Sequence, residues 1–289
     1  MRITEFRDSH QRTGNASSLN DRLESLSYID VMPYLKVSDK QLEYAWFGPP
    51  PDEAPTLVFL HEGLGCVEMW RGFPERLANE VGCGALVYSR AGYGNSDEIE
   101  LPRTVRFMHD EALITLPQVL DALEIREAML VGHSDGGSIA LINAGGTGDA
   151  RVRALILEAP HVFTEEPGLD SIRAIAEEYQ SGKLKRRLER YHRKNVDQTF
   201  WGWNNIWRHP AFQSWNIEEY LSGIRVPVLL IQGEDDKYGS ARQLEAIESG
   251  CSGAVGTVML ENCGHSPHLD QPTRTLEAMT AFIRQELLG

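Results

Sequence analysis

The stretch that decides the fold is "LVGHSDGGSIA", Leu130 to Ala140, which sets Ser134 and Asp135 side by side between Gly132 and Gly136. Gly132-His133-Ser134-Asp135-Gly136 fits the pattern G-x-S-x-G. It follows the apolar run "AMLV" and leads into the helix-forming run "GSIALINAG", the strand-turn-helix setting in which that pattern carries a nucleophile. So tight a turn strains its central residue and requires small neighbours two positions before and after it. Ser134 takes the central position, so its hydroxyl is the exposed candidate. Asp135 enters the helix, where its backbone N–H lies at the positive end and is placed to hold a developing oxyanion. The pentapeptide also occurs by chance on surface turns, and only the flanking strand and helix weigh against that reading here.

Outward from this turn, short apolar runs alternate with helical patterns. The runs are "TLVFL" (56–60), "ALVYS" (85–89), "AMLVG" (128–132), "RALILEA" (153–159), "VPVLLIQG" (226–233) and "TVMLE" (257–261). They lack period-two alternation, as expected of strands covered on both faces of a mainly parallel sheet. Upstream, "YIDVMPYLKV", the turn "SDK" and "QLEYAWF" read as an antiparallel hairpin. Helices are expected over 68–81, 107–123, 138–145, 241–249 and 273–288. The alternation defines an α/β fold. Between His161 and Gly223 it stops: this segment has no strand pattern, much helix-forming sequence and four of the six tryptophans. It is read as a helical cap inserted after the sixth core strand run, because an insertion that long usually carries function. The expected organisation is an N-terminal extension (1–27), a first core part (28–160), the cap (161–223) and a second core part (224–289).

Composition excludes several classes. The 28 basic and 42 acidic residues give a formal charge of −14, which repels phosphate backbones and anionic lipid, so no nucleic-acid or membrane partner is expected. Cys66, Cys83, Cys251 and Cys263 form neither a CxxC pair nor a zinc spacing. His61-Glu62 lacks the second histidine of HExxH, so no metal or other cofactor is expected. The polar N-terminus has no signal-like apolar run and no stretch reaches membrane-spanning length, which leads to an expectation of a cytoplasmic protein.

A serine hydroxyl needs a base, and the base needs an acid to orient it. "LLIQGEDDKYG" ends one strand run in a turn bearing Glu234, Asp235 and Asp236. "VMLENCGHSPHLDQP" ends the next in a Gly-His turn at His265. Both turns open on the carboxyl edge of the sheet, as Ser134 does, where ligands gather in open α/β folds.

The segments "FLHEGLG", "YSRAGYGNSD", "VGHSDGG", "QGEDDKYG" and "NCGHSPHLDQP", in that order and at these spacings, resemble the α/β-hydrolase superfamily from about Tyr28 to Leu288. The resemblance implies an α/β-hydrolase fold with a mostly parallel eight-stranded sheet, a nucleophile at Ser134, an acid at Asp236 and a base at His265. Asp235 stands one residue away as a rival acid, and Glu158 is a more distant one. The family's second oxyanion donor comes from the loop after "TLVFL", which here reads His61-Glu62-Gly63-Leu64-Gly65, with glutamate where glycine is common. Gly63 is the expected partner of the Asp135 N–H, with Leu64 as the alternative donor. Glu62 either holds the loop by an internal hydrogen bond or faces the pocket. His268 is read as a surface or supporting residue.

The cap run "DQTFWGWNNIWRHPAFQSW" holds Trp201, Trp203, Trp207 and Trp215. These rings either fasten the cap to the core or enclose an apolar acyl group. Leu64, Trp203 and Trp207 are taken as the substrate contacts. "GKLKRRLERYHRKN" carries seven of the 28 basic residues, as a solvated helix face or as an attractor of an anionic substrate. The expected activity is hydrolysis of a small carboxylic ester through an acyl-enzyme. Carbon–carbon hydrolysis of ring-cleavage products is a rival that Ser266, standing where such relatives often have tryptophan, argues against. Thioester or lactone hydrolysis and a non-catalytic ligand receptor are the remaining alternatives, and the oligomeric state is left open.

Overall fold

The structure, a computed structural model, describes residues 32–287. The expected extension over 1–27 and the first residues of the expected hairpin lie outside that range. Eight strands form one sheet in the order β1-β2-β4-β3-β5-β6-β7-β8: β1 (Tyr34–Val37), β2 (Lys40–Phe47), β3 (Thr56–Leu60), β4 (Gly84–Tyr88), β5 (Ala128–His133), β6 (Val152–Glu158), β7 (Val228–Gly233) and β8 (Val255–Leu260). β2 runs antiparallel to both of its neighbours, and every other pairing is parallel.

The strands β3, β4, β5 and β7 are buried at every residue, which accounts for their near-continuous apolar runs. β8 departs from that expectation. It closes the sheet at one edge, so most of its side chains are partly or fully exposed.

Two expected helices are interrupted. Over 68–81 the chain makes a short 3₁₀ turn at Val67–Trp70, then breaks at Arg71, which holds φ 53°. Helix α1 (Phe73–Val81) starts only after Gly72, with Pro74 in its first turn, where the missing N–H costs nothing. It buries Phe73, Leu77, Ala78 and Val81 and ends on Gly82 in the left-handed conformation. Over 107–123, α2 (Phe107–Asp110) and α3 (Leu116–Ala122) flank a π turn at Glu111–Thr115. Pro117 cannot donate to the carbonyl one turn back, and the backbone widens just ahead of it.

Helix α4 (Asp135–Thr147) follows the elbow and packs on β5. The segment between β6 and β7 is helical, as expected of the cap: α5 (Glu166–Gln180), α6 (Lys183–His192), α7 (Val196–Trp207) and the short α8 (Glu218–Leu221). α9 (Ala241–Gly250), α10 (Pro267–Asp270) and α11 (Pro272–Leu287) complete the chain. α11 packs against α1, and Leu77, Met279 and Ile283 are fully buried with the core face of the sheet. Each such side chain stabilises the fold by about 1.5–3 kcal/mol. Among the described residues, no helix is long and apolar enough to cross a membrane. The four cysteines are all free thiols.

Candidate active site

Ser134 ends β5 with φ 53° and ψ −116°, a conformation costing about 1–3 kcal/mol in a residue with a side chain. The turn is held from both sides. The Ser134 N–H donates to Glu158 O at 2.9 Å, and Ser134 O accepts from Gly137 N at 2.8 Å and Ser138 N at 3.1 Å. A Cβ on Gly136 would collide with Leu60 O, and one on Gly132 would lie 2.5 Å from Gly136 O. The two glycines therefore let β5 turn into α4 with β3 pressed alongside. Ser134 keeps 7% of its surface and lines a cavity of about 400 Å³ beneath the cap.

The acid turn after β7 and the histidine turn after β8 meet at the same edge. Asp236 Oδ1 and Oδ2 lie 3.0 and 2.9 Å from His265 Nδ1. Tyr238 N donates to Asp236 Oδ1 at 2.8 Å, and Gln232 Nε2 donates to Oδ2 at 2.7 Å. Burial by itself would raise this carboxyl. The bond from His265 and its charge, with the Tyr238 N–H, outweigh burial and hold Asp236 below its ordinary value. The Asp236 side chain is 1% exposed, and the His265 ring, 17% exposed, lines the cavity with Ser134.

The rival acids are used elsewhere. Asp235 is exposed. Glu158 is fully buried and pairs with His268, accepting from its Nδ1 at 2.7 Å and its backbone N at 3.1 Å. Burial alone would raise Glu158, but His268 holds it below its usual range. His268 is 5% exposed and lies against Trp70 at a centroid distance of 4.5 Å. It is a buried support beneath the site.

Gly63 and Asp135 both line the cavity. The first N–H groups of α4 have no partner within the helix, and Asp135 supplies the first of them. Burial raises the Asp135 carboxyl above its ordinary value, and Oδ1 accepts from Trp207 Nε1 at 3.2 Å. The loop after β3 is braced by Arg90, which follows β4. Arg90 Nη1 donates to His61 O at 2.9 Å, Arg90 Nη2 donates to Glu62 O at 3.0 Å, and the Arg90 N–H donates to His61 Nε2 at 3.1 Å.

Of the four clustered tryptophans, Trp203 and Trp207, one turn apart on α7, line the cavity together with Leu64. Trp203 presses its indole against Gly63, where a Cβ would overlap Nε1. Trp201 and Trp215 do not line the cavity. Trp215 stacks on Phe212 at 5.2 Å and fastens the cap internally.

Three residues at the site escape a linear reading. His133, inside the elbow pentapeptide, donates through Nε2 to His265 O at 2.6 Å, and its Nδ1 lies 3.5 Å from Glu62 Oε2. His161 stacks on the His265 ring at 5.7 Å. Burial, then the neighbouring His265 charge, pulls its pKa down to about 3, so it stays neutral beside His265. Tyr238 lies 4.7 Å from the His265 ring on another side. The x positions of G-x-S-x-G and the residue after a strand carry no pattern of their own, so nothing in the sequence marks these three. Among the described residues, no group of three or more His, Cys, Asp or Glu is placed to hold a metal ion.

An eight-stranded, mostly parallel α/β sheet with a serine on a strained strand-to-helix elbow and an Asp-His pair at the same edge defines a class of capped α/β proteins built for work at one cavity. The chain belongs to the alpha/beta hydrolase family, whose sequence pattern matches residues 57–278. It is similar to 2-succinyl-6-hydroxy-2,4-cyclohexadiene-1-carboxylate synthase of Salmonella agona (strain SL483), at 24% identity over 82% of this chain and 96% of that one. It is also similar to 3-oxoadipate enol-lactonase 1 of Acinetobacter baylyi (strain ATCC 33305 / BD413 / ADP1), at 25% identity over 81% of this chain and 90% of that one. Among solved structures, an esterase from Exiguobacterium antarcticum shares the fold with a TM-score of 0.69 and 20% identity, covering 88% of this chain and 100% of that one.

Proposed function

We propose that this protein is a serine hydrolase of carboxylic esters with Ser134 as nucleophile, His265 as base and Asp236 as the acid that orients it. Ser134 attacks the ester carbonyl as His265 takes its proton. Asp236, bonded to Nδ1, fixes the tautomer that presents Nε2 to the serine and stabilises the imidazolium that forms. The N–H groups of Asp135 and Gly63 donate hydrogen bonds to the oxyanion. His265 then protonates the departing alcohol and activates water to cleave the acyl-enzyme.

The observation that carries this reading is the Asp236–His265 bond of 2.9 Å, formed at the cavity that Ser134 also lines from a strained elbow. The names of two relatives, an enol-lactonase and a bifunctional esterase/perhydrolase of Acinetobacter calcoaceticus, support ester-type chemistry. A lactone is an internal ester and uses the same steps. Labelling with a fluorophosphonate tests the nucleophile. Wild type should label covalently and hydrolyse p-nitrophenyl butyrate, and Ser134→Ala should do neither while keeping its thermal midpoint. An unlabelled wild type, or hydrolysis by the alanine variant within tenfold of wild type, would overturn the assignment.

A further inference from the structure

The cavity changes character between its reacting end and its mouth. Ser134 and His265 mark the reacting end. The cap contributes Leu169, Ile172, Leu184 and Leu188, all buried, as an aliphatic wall. Arg71 and Arg187 also line the cavity, and both are exposed, so their guanidinium groups stand where it meets solvent.

Arg187 lies on α6 between Leu184 and Leu188 and shares their cavity-facing side. Within the basic run of this helix, it is therefore a charge turned toward the cavity mouth as well as toward solvent. Arg71 sits at the break before α1 with φ 53° and ψ −140°, although Gly72 next to it would accept a positive φ without strain.

Neither arginine forms an ion pair or hydrogen bond through its side chain among the described residues. Glu68, three residues before Arg71, lies 3.5 Å from Arg193, and Asp197, on the helix after Arg187's, lies 2.8 Å from Lys185. The carboxylates that line the cavity are also held by other groups. Glu62 faces His133, Asp135 takes the Trp207 N–H, and Glu165 accepts from Ser240 Oγ and Gln243 Nε2. In a chain of charge −14, these two guanidinium groups are the cavity-lining charges left without a side-chain partner among the described residues. Arginine presents a planar fork that matches an oxyanion.

We propose that Arg71 and Arg187 form an anion subsite at the cavity mouth, so that the ester this protein cleaves carries a terminal anion at the far end of an apolar chain. This inference rests on the serine-hydrolase reading above. The aliphatic wall takes the chain, the arginines take the charge, and the reacting carbonyl is placed at Ser134 by the distance between them. Binding at both ends orients the ester, and orientation is what a long flexible substrate otherwise lacks.

The test compares matched esters that differ only in the terminal charge. One arm puts the charge on the acyl side, with mono-p-nitrophenyl suberate against its methyl-capped diester. The other puts it on the alcohol side, with the butyrate ester of 8-hydroxyoctanoic acid against that of its methyl ester. In at least one arm, wild type should show kcat/KM roughly tenfold higher for the anionic ester, the order of one charge-assisted contact. Added salt should reduce the preference, because the arginines are exposed. R71Q/R187Q should lose the preference yet hydrolyse p-nitrophenyl butyrate at the wild-type rate, which also reports that it folds. Equal or higher rates for the neutral esters in both arms, or a preference that survives in the double variant, would overturn the subsite while leaving the hydrolase reading intact. Failure of wild type to hydrolyse p-nitrophenyl butyrate or to accept fluorophosphonate would instead remove the hydrolase reading, and the subsite with it.

Discussion

Glu62 Oε2 stands 3.5 Å from His133 Nδ1, joining the loop after β3 to the residue just before Ser134. The same ring donates through Nε2 to the carbonyl of His265, so one imidazole ties together the loop of the proposed oxyanion donor, the elbow and the loop of the proposed base. Burial opposes a charge on His133. The Glu62 carboxylate, aided by Glu158, overcomes that cost and raises the pKa to about 9. Burial likewise opposes the charge on Glu62, and His133 holds that carboxyl well below its usual range. Glu62 stands in this loop where the resemblance leads one to expect glycine, and His133 offsets its charge next to the proposed oxyanion donor Gly63.

The pair makes stability depend on pH in a stated direction. His133 has a folded pKa raised above 6.5, so its contribution is complete below pH 6.5 and is lost as the pH rises through about 9. Glu62 has a depressed folded value, so its contribution is present above about pH 4.5 and is lost on acidification. Thermal unfolding of wild type should therefore weaken between pH 6.5 and 9.5 by on the order of 3 kcal/mol. His133→Gln should show a flatter profile over that range. Parallel profiles for the two proteins would remove the buried charge from His133.

Catalysis should report the pair separately from stability. His133→Gln leaves Glu62 as an uncompensated carboxylate beside the proposed oxyanion donors, and kcat for p-nitrophenyl butyrate is expected to fall on the order of 10²-fold, the size of losing one oxyanion donor. Glu62→Gln in the same chain should restore part of that loss. If the double variant is as slow as His133→Gln alone, the defect is in the fold and not in the charge.

Asp236→Asn should lower kcat by about 10⁴, the loss seen when a triad acid is replaced by its amide. Asp235→Asn should change it less than twofold, since that side chain is exposed and lies off the His265 ring. Glu158→Gln should lower the thermal midpoint by disturbing His268 and leave the hydrolytic rate nearly intact. Steady-state kinetics and thermal melts on the three variants check the assignment together. A rate loss in Glu158→Gln as large as that in Asp236→Asn would overturn it.

Trp203 packs on Gly63 at the cavity wall. Trp203→Ala should raise KM for bulky aromatic esters more than for acetate esters, because truncating an indole removes contact only from ligands that reach it. Trp215→Phe, away from the cavity, should lower stability and leave selectivity unchanged. An equal rise in KM for both ester sizes in Trp203→Ala would assign that ring to cap packing.

Much of this protein was readable from its sequence, because the relevant physics is local. A strand buried on both faces carries a near-continuous apolar run, and β3, β4, β5 and β7, buried at every residue, do so with polar side chains confined to their ends. A tight elbow needs small residues two before and two after its centre, so Gly132 and Gly136 mark Ser134. The cap was visible as a long interval without a strand, and Trp203 and Trp207 as neighbours on one helical face.

Tertiary structure decided what depends on side chains meeting across the chain. The resemblance favours Asp236 over its neighbour Asp235, and the direction each takes from the turn after β7 puts the Asp236 carboxylate on His265 and leaves Asp235 exposed. Arg71 and Gly72 fall inside a helical pattern that the chain breaks there, with Trp70 before the break and Phe73 after it both buried in the core. β8 reads as a buried strand and stands at an edge, since among the described residues no further strand pairs with its outer side. Glu62 and His133 each look ordinary on their own segments. Their pairing exists because parallel β3 and β5 lie side by side and end at the same height, Leu60 opposite Gly132, which brings two side chains into a low-dielectric space where each makes the other's charge stable.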